Sequence, residues 1–522
     1  MSDTEATAAP PTNAPGAKNA AHAALRMFGS AYRVELVLFV AAFALFASFS
    51  SMRFLRQSAA PHFVYQAKAW LEGRADIDPE VLPNIEDWAC VREVNGVKQR
   101  CEGPLRPGDR WYSSFPWFPA VVMLPFVAIN GYQLNDTSFG VIIAALALAL
   151  FYGLLRLLSE TEGTGRSWGE NAALAALLGF GTVYFYAAIR GEVWFSAEVM
   201  GVAFTALYLR HAIGAKKPEL AGLFWSMAVL TRTPLFFTGL FFVLEALVPT
   251  RGERRAQWAA FLKAPKEKLN LLGRFALGAA PLGLLAATYN QVRFGSLTEF
   301  GHRFLYNNRV NVDIDTWGLF HPHYLTRNLD AAFLKLPNFR LGPLLLSYDA
   351  WGLSLFLTLP LLALAVLPVT APPNRLRLAL GALVAPLLAS AVFPPLPPPP
   401  GEPPIGWRSG VAWLVLAASL LALGWLAWQW MKEKDVPRLV FPVALTLLAC
   451  MLPGLLYQNT GYAQFGFRFS IDYTPYVFLL VALSGWQLKR PVVLGLAALS
   501  VLVNFWGAVA FRGYTELVRH WN

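Results

Sequence analysis

The ionisable residues that could do chemistry in this 522-residue chain gather in a few short stretches, each framed by aromatics and set between long apolar runs. The first extends from Ser58 to Pro119. It holds His62, Tyr65 and Trp70, then the acids Asp76, Asp78, Glu80, Glu86 and Asp87, and closes on Trp111-Tyr112-Ser113-Ser114-Phe115-Pro116. His62, with an ordinary pKa of about 6.5, or Asp76 or Asp78, could serve there as a general base. The second stretch, Arg190 to Glu198, puts Glu192 at the mouth of an apolar segment and Glu198 inside it. A carboxylate at that depth requires a partner. A plain ion pair between Arg190 and one of these acids is the structural alternative.

The third stretch begins Tyr289-Asn290-Gln291-Val292-Arg293-Phe294-Gly295-Ser296 and continues through Glu299, His302, Arg303, Arg309, Asp313, Asp315, His321, His323 and Arg327. Guanidinium groups among aromatics suit a phosphate beside an apolar chain or sugar ring, because the planar fork grips phosphate bidentately. The fourth, Gly461 to Tyr476, carries Arg468 and Asp472, which could simply pair at i,i+4 and cap a helix. Its two glycines, Gly461 and Gly466, admit close approach of backbone or ligand. Arg232 stands apart in Thr231-Arg232-Thr233-Pro234, at the tip of a hairpin or in the kink of one long span. Scattered histidines and the absence of a Cys/His cluster commit to no metal, and a divalent ion stays open.

The elements that must position these residues follow from composition. Hydrophobic residues make up 56% of the chain and charged ones 14%, and apolar runs of roughly 15–22 residues recur as a hydrocarbon core demands of helices. The fold class is an all-α polytopic membrane protein. The net charge of +11, from 43 basic and 32 acidic residues, reads as basic loops on the cytoplasmic side rather than nucleic-acid binding, for which no motif is present. Lys216, Lys217, Arg251 to Lys268, Arg375, Arg377, Lys432, Lys434, Arg438, Lys489 and Arg490 then face the cytoplasm. Loops 53–116, 190–198, the Arg232 tip, 290–341, 394–408 and 457–470 face outward.

With the N-terminus inside, parity requires one segment not to cross fully, and 117–131 is the candidate; about 12–14 spans result. Residues 1–30 read as a disordered tail, 31–393 as the transmembrane core, 394–408 as a stiff proline-rich linker, and 409–522 as the C-terminal helices. Tyr65, Ala69 and Glu72, with Phe63, Trp70 and Leu71, suggest an amphipathic helix along the interface. Cys90 and Cys101 share the first outer loop and either pair or stay free thiols, whereas Cys450 packs in an apolar segment.

Taken in order, several pieces resemble the GT-C superfamily of polyprenyl-phosphate-sugar-dependent glycosyltransferases. The similarity is to bacterial relatives of the protein mannosyltransferases and lipid A aminoarabinose transferases. The matching pieces are Tyr65-x-x-x-Ala69-x-x-x-Gly73, Tyr112-Ser113-Ser114-Phe115-Pro116, Leu230-Thr231-Arg232-Thr233-Pro234, Tyr289-Asn290-x-x-Arg293-Phe294-Gly295-Ser296 and Gly466-Phe467-Arg468-Phe469. The resemblance implies a GT-C-like helical bundle with periplasmic loops in the bacterial inner membrane. It implies an inverting enzyme that moves a sugar from a polyprenyl-phosphate donor to an acceptor on the outer face. Its partners would be that lipid-linked sugar and membrane lipids. Glu192 or Glu198 would be the second acid, and Arg232, Arg293 or Arg468 would hold the lipid phosphate. Tyr65, His302 and Arg303 belong to the same candidate binding surface. The first acid of the family stands three or four residues before the tyrosine, where this chain has Pro61 and His62. That departure leaves His62, Asp76 or Asp78 as base, or a member without transferase activity. A transporter of lipid-linked sugars and a non-catalytic scaffold are the rival readings.

Overall fold

The computed structural model describes residues 32–83, 87–247, 265–339, 346–347, 349–393 and 408–519. The expected tail at 1–30, nearly all of the proline-rich linker, Glu86 and the basic residues Arg251 to Lys263 lie outside the described residues. Helices dominate. Six of them are long and apolar enough to cross a membrane: Arg33–Leu55, Asp136–Thr161, Pro265–Phe294, Pro373–Val392, Gly410–Met431 and Pro491–Phe511. The chain is an α-helical membrane protein.

Helix α1 (Arg33–Ser50) leads through a 3-10 turn to α2 (His62–Leu71). Then come a small sheet, α3 (Phe118–Asn130), α4 (Asp136–Thr161), α5 (Trp168–Phe180), α6 (Val193–Ala212) and α7 (Pro218–Val229). Helices α8 (Gly239–Leu247) and α9 (Pro265–Phe294) precede an outer segment of short turns. The chain ends in α10 (Pro373–Val392), α11 (Gly410–Met431), α12 (Val440–Leu456), α13 (Thr474–Leu483) and α14 (Pro491–Arg519). Helix starts follow the local chemistry. Asn135 accepts from Ser138 N at the head of α4, and Ser167 and Glu170 form a reciprocal capping box at α5. Helix α4 is the central one, its apolar window 67% buried against 11% for α9. Its run of Ala144, Ala145, Ala147 and Ala149 lets neighbours approach closely, which is how helices pack when lipid removes the hydrophobic drive.

Charges sort to the two ends of the bundle. At one end Ser58 bonds Asp136, Val193 N donates to Ala60 O, Phe118 N donates to Leu230 O and Arg293 donates to Ser113 O. This end also carries the sheet. At the far end Arg156 pairs with Glu35, and Arg438 joins Glu162 at 2.7 Å to Glu245 at 2.7 Å. Arg166 caps the carbonyls of Val481, Ala482 and Trp486 there. Loops 53–116, 190–198, the Arg232 turn and 457–470 share the sheet end, while Lys216, Lys217 and Arg438 lie at the other. The Arg232 region is a hairpin: α7 stops at Val229, and Glu245 near the close of α8 accepts from Gly214 N, just before α7 begins. Helix α3 starts and finishes at the sheet end. Phe118 N bonds Leu230 O, and Gln57 donates to the Tyr132 and Leu134 carbonyls just past the other end, so both ends stay on the sheet side.

The expectation of an all-α chain needs one correction. Strands β1 (Trp88–Val94), β2 (Val97–Arg100) and β3 (Arg110–Ser113) form an antiparallel sheet of order β2-β1-β3. Val94 pairs with Val97 across Asn95-Gly96, whose φ values of 53° and 77° are both positive. That is the tight turn that Asn-Gly favours, because its twist matches the strands. Cys90 and Cys101 form a disulfide across this hairpin, which settles the open question of two thiols. The apolar stretch 342–368 is broken in its described part into Leu355–Thr358 and Leu362–Ala365, with Pro360 between. Helix α2 is not a surface element either: His62, Phe63, Val64, Gln66, Ala67 and Ala69 are buried beneath the sheet.

Arg92 grips Asp109 through both oxygens at 2.8 and 2.7 Å, tying β1 to the segment before β3. This hydrogen bond holds the Asp109 carboxyl below the usual carboxylate range. The stabilisation is present above its unfolded pKa of about 3.9 and fades as pH falls toward the lower folded value. Thermal melts below about pH 4 should therefore drop more steeply in the wild type than in Asp109→Asn. Cys101→Ser should cost the hairpin about 3 kcal/mol, read as faster proteolysis between β1 and β3, with no further effect of reductant.

Candidate functional site

The polar centre of the sheet end is a set of four charged side chains from three segments, three of them buried and Arg232 half-buried. Glu198, on the second turn of α6, is fully buried and accepts from Arg468 Nη1 at 3.1 Å. Arg232, at the hairpin turn between α7 and α8, grips Asp472 through Nε at 3.0 Å and Nη2 at 2.7 Å. Its Nη2 lies 3.9 Å from Glu198 Oε1, so the two pairs form one network. Arg468 also donates from Nε to Gly461 O at 3.0 Å, and its backbone N–H donates to Gln464. Gly461 has φ +108°, and a Cβ there would meet Gln464 Oε1 at 2.6 Å. The close approach that glycine permits is used by this arginine.

The network is not saturated. Glu198 Oε2 is buried with no hydrogen-bond partner among the described residues. Arg232 Nη1 and Arg468 Nη2 carry no hydrogen bond among those residues, and the two side chains keep 15% and 7% of their surface. Those atoms are donors of the kind a phosphate or carboxylate oxygen accepts.

Above the charges lies an aromatic roof. Trp194 stands one turn above Glu198 on the same face of α6, and its indole N–H donates to Asp87 Oδ2 at 3.0 Å. Asn308 donates to Asp87 Oδ1 at 2.6 Å, and Ser114 donates to the Asp87 carbonyl at 2.7 Å. Asp87 has φ 77°, a left-handed conformation that few non-glycine residues adopt and that often marks working sites. His62 stacks on Trp88 with centroids 3.9 Å apart and meets the edge of Phe115. His302 lies between Phe115 and Tyr457. Burial, and after it the Arg232 charge, holds its imidazole down to about 4, so it is neutral at physiological pH. Tyr457 feels the charges of Asp87, Arg232 and Arg468 together, which locates it between roof and floor.

The structure distributes the candidates unevenly. Glu198, Arg232 and Arg468 meet in the network, with His302 and His62 in the roof. Glu192 is paired bidentately with Arg190 at the mouth of α6. Arg293 is elsewhere: fully buried, it holds Ser113 O at 3.0 Å and Asn290 at 2.8 Å, with its guanidinium over the Tyr289 and Phe294 rings. It fastens β3 to α9, and among the described residues it makes no hydrogen bond or ion pair to the charged network. Tyr65 packs on Tyr132 and Trp88. Asp78 pairs with Arg74 at 3.5 Å, and Arg303 is exposed near Glu299. The isolated bridge of Ile77 to Trp111 holds Asp76 and Asp78 along β3.

The i,i+4 pairing of Arg468 with Asp472 is also overturned. Residues Arg468–Asp472 form a 3-10 turn. With about three residues per turn, positions four apart point in different directions, so each finds a distant partner. Sequence reasoning passed over Asp87, Trp194 and Asn308. The signal for Asp87 was its place immediately before the β-rich run that ends at Asn95-Gly96. Among the described residues, the one group with metal-ligand spacing is Cys90, Cys101 and Asp109, whose thiols are joined to each other and whose carboxylate is held by Arg92. No family model, no curated protein and no solved structure matches this chain.

Removing one partner of a buried pair leaves an uncompensated charge, at a cost of about 3–5 kcal/mol, whereas replacing both with apolar groups is often neutral. Arg232→Ala should therefore lower the melting temperature more than the double change Arg232→Met with Asp472→Leu. Equal losses in the two variants would show that the pair is not desolvated.

Proposed function

We propose that this protein is an inverting membrane glycosyltransferase that takes its sugar from a polyprenyl-phosphate donor, on a GT-C-like bundle of about 12–14 crossings. The observation that carries the proposal is the convergence of Arg232 and Arg468 beneath Asp87, at the one end of the bundle where the chain carries a folded extramembrane sheet. The arginines supply fork-shaped donors for a phosphate on an apolar chain. The aromatic roof offers faces for a sugar ring. Helices α1 and α9, little buried in the protein, give a lipid tail a lateral approach.

In this reading Asp87, rather than Asp76, Asp78 or His62, takes the proton from an acceptor hydroxyl or amine. The freed electron pair attacks the anomeric carbon, and the bond from that carbon to the phosphate oxygen breaks on the opposite face. Arg232 and Arg468 meet the charge that accumulates on the departing phosphate, which is where electrostatic stabilisation acts most strongly. The location follows the same logic. A disulfide belongs in an oxidising compartment, and basic residues collect on the cytoplasmic side. Both support a multi-pass inner-membrane protein with the sheet end in the periplasm and the N-terminus in the cytoplasm.

Purified protein given radiolabelled polyprenyl-phosphate sugars and a cell-envelope lipid extract should transfer label. Asp87→Asn should lose about 100-fold or more in rate, and Arg468→Ala should fall comparably, while Asp78→Asn stays near wild type. Folded wild-type protein that transfers label from no donor, or an Asp87→Asn variant with full activity, would sink the assignment.

A further inference from the structure

We infer that an anionic ligand enters the charged network together with a proton, which Glu198 takes up on Oε2. The inference rests on the reading of the network as a phosphate site. Two guanidiniums and two carboxylates make the empty network formally neutral, and each arginine already serves a carboxylate. The side chains of Glu198 and Asp472 retain 0% and 3% of their surface. Water therefore does little to screen an added charge. A phosphodiester seated on Arg232 Nη1 and Arg468 Nη2 would bring a net negative charge beside two carboxylates in a medium of low dielectric. Binding one proton restores neutrality.

The hydrogen bonds select where that proton goes. Both oxygens of Asp472 are held by Arg232, so protonation would break the fork. Both oxygens of Asp87 accept, from Trp194 and Asn308, and its role as the base requires it to stay ionised while the ligand binds. Glu192 is gripped by Arg190, and Asp136 on α4 is held through both oxygens by Ser58. Cys450 on α12 is a thiol, and Tyr457 beyond it and Tyr473 before α13 are phenols, groups that ordinarily hold their protons at neutral pH. His302 is the remaining acceptor, neutral and close to Arg232. Glu198 differs from all of these. Its Oε1 faces Arg468 and Arg232, and its Oε2 is buried without a partner. A proton on Oε2 breaks no existing bond. It also converts an orphaned acceptor into a donor that can bond a ligand oxygen, which removes the penalty of a buried unsatisfied atom.

The test is calorimetric titration of the full-length protein in detergent with farnesyl methyl phosphate, a phosphodiester that keeps one charge at every pH used. Buffers of different ionisation enthalpy report the protons exchanged. The wild type should take up nearly one proton per ligand where Glu198 is ionised, and its affinity should weaken by up to about tenfold per unit rise in pH. Glu198→Gln should abolish both effects and bind more tightly than the wild type at high pH, a gain that a merely structural role for Glu198 would not produce. His302→Gln should keep both effects. Wild-type binding with no proton exchange and a flat pH profile would overturn the inference while leaving the phosphate site standing. So would loss of uptake in His302→Gln with uptake kept in Glu198→Gln. A wild type that binds no phosphodiester at any pH overturns the phosphate site and this inference together.

Discussion

A charge withdrawn from water must be matched by an opposite charge close by, and the sheet end of this protein is arranged around that requirement. Glu198 sits below the mouth of an apolar helix, where an isolated carboxylate would not be tolerated. Its answer is Arg468, delivered by a 3-10 turn distant in sequence, with Arg232 and Asp472 completing the set. These contacts tie α6, the α7–α8 hairpin and the turn before α13 into one unit. The far end obeys the same rule with different parts, where Arg438 bridges Glu162 and Glu245 and Arg166 caps the last carbonyls of α13. Between the two ends the buried residues are mostly apolar, with uncharged polar groups such as Asn504 bonded to backbone carbonyls.

Among the described residues, the sheet end adds a second layer that the far end does not show. The disulfide-braced sheet covers α2, and Arg293 fastens β3 to α9 from inside. A guanidinium between two aromatic faces, bonded to a carbonyl and an amide, is a rigid tie. That rigidity fixes the segment Asp87–Trp88, so that Asp87 meets Trp194 directly over Glu198. Positioning and chemistry are thereby divided among the arginines. Arg293, Arg190 and Arg92 hold the framework, while Arg232 and Arg468 each keep a donor atom that carries no hydrogen bond among the described residues.

Much of this was legible in the chain, for identifiable reasons. Apolar run length is a one-dimensional property, so the membrane-spanning character could be read directly, and Thr231-Arg232-Thr233-Pro234 could be read as a break, either a hairpin tip or a kink. The demand that Glu198 have a partner followed from its depth alone. Arg293 misled because an arginine amid aromatics has the same sequence signature whether it grips a ligand or its own backbone. The pairing of Arg468 with Asp472 misled because i,i+4 proximity presumes an α-helix, and the turn is tighter. Asp87 was visible within an acidic run, yet nothing in that run distinguished it from Asp76 or Asp78.

The sequence by itself determined a helical membrane protein whose ionisable residues cluster between its apolar runs, because the cost of burying polar groups in hydrocarbon leaves few other outcomes. Only the tertiary structure decided which charges meet. Partner choice among Glu198, Arg232, Arg468 and Asp472 depends on helix ends brought together from positions up to 270 residues apart. The selection of Asp87 depends on a sheet whose register places it under the Trp194 indole. Electrostatic pairing acts over a few ångströms of space, and distance along the chain carries no record of it.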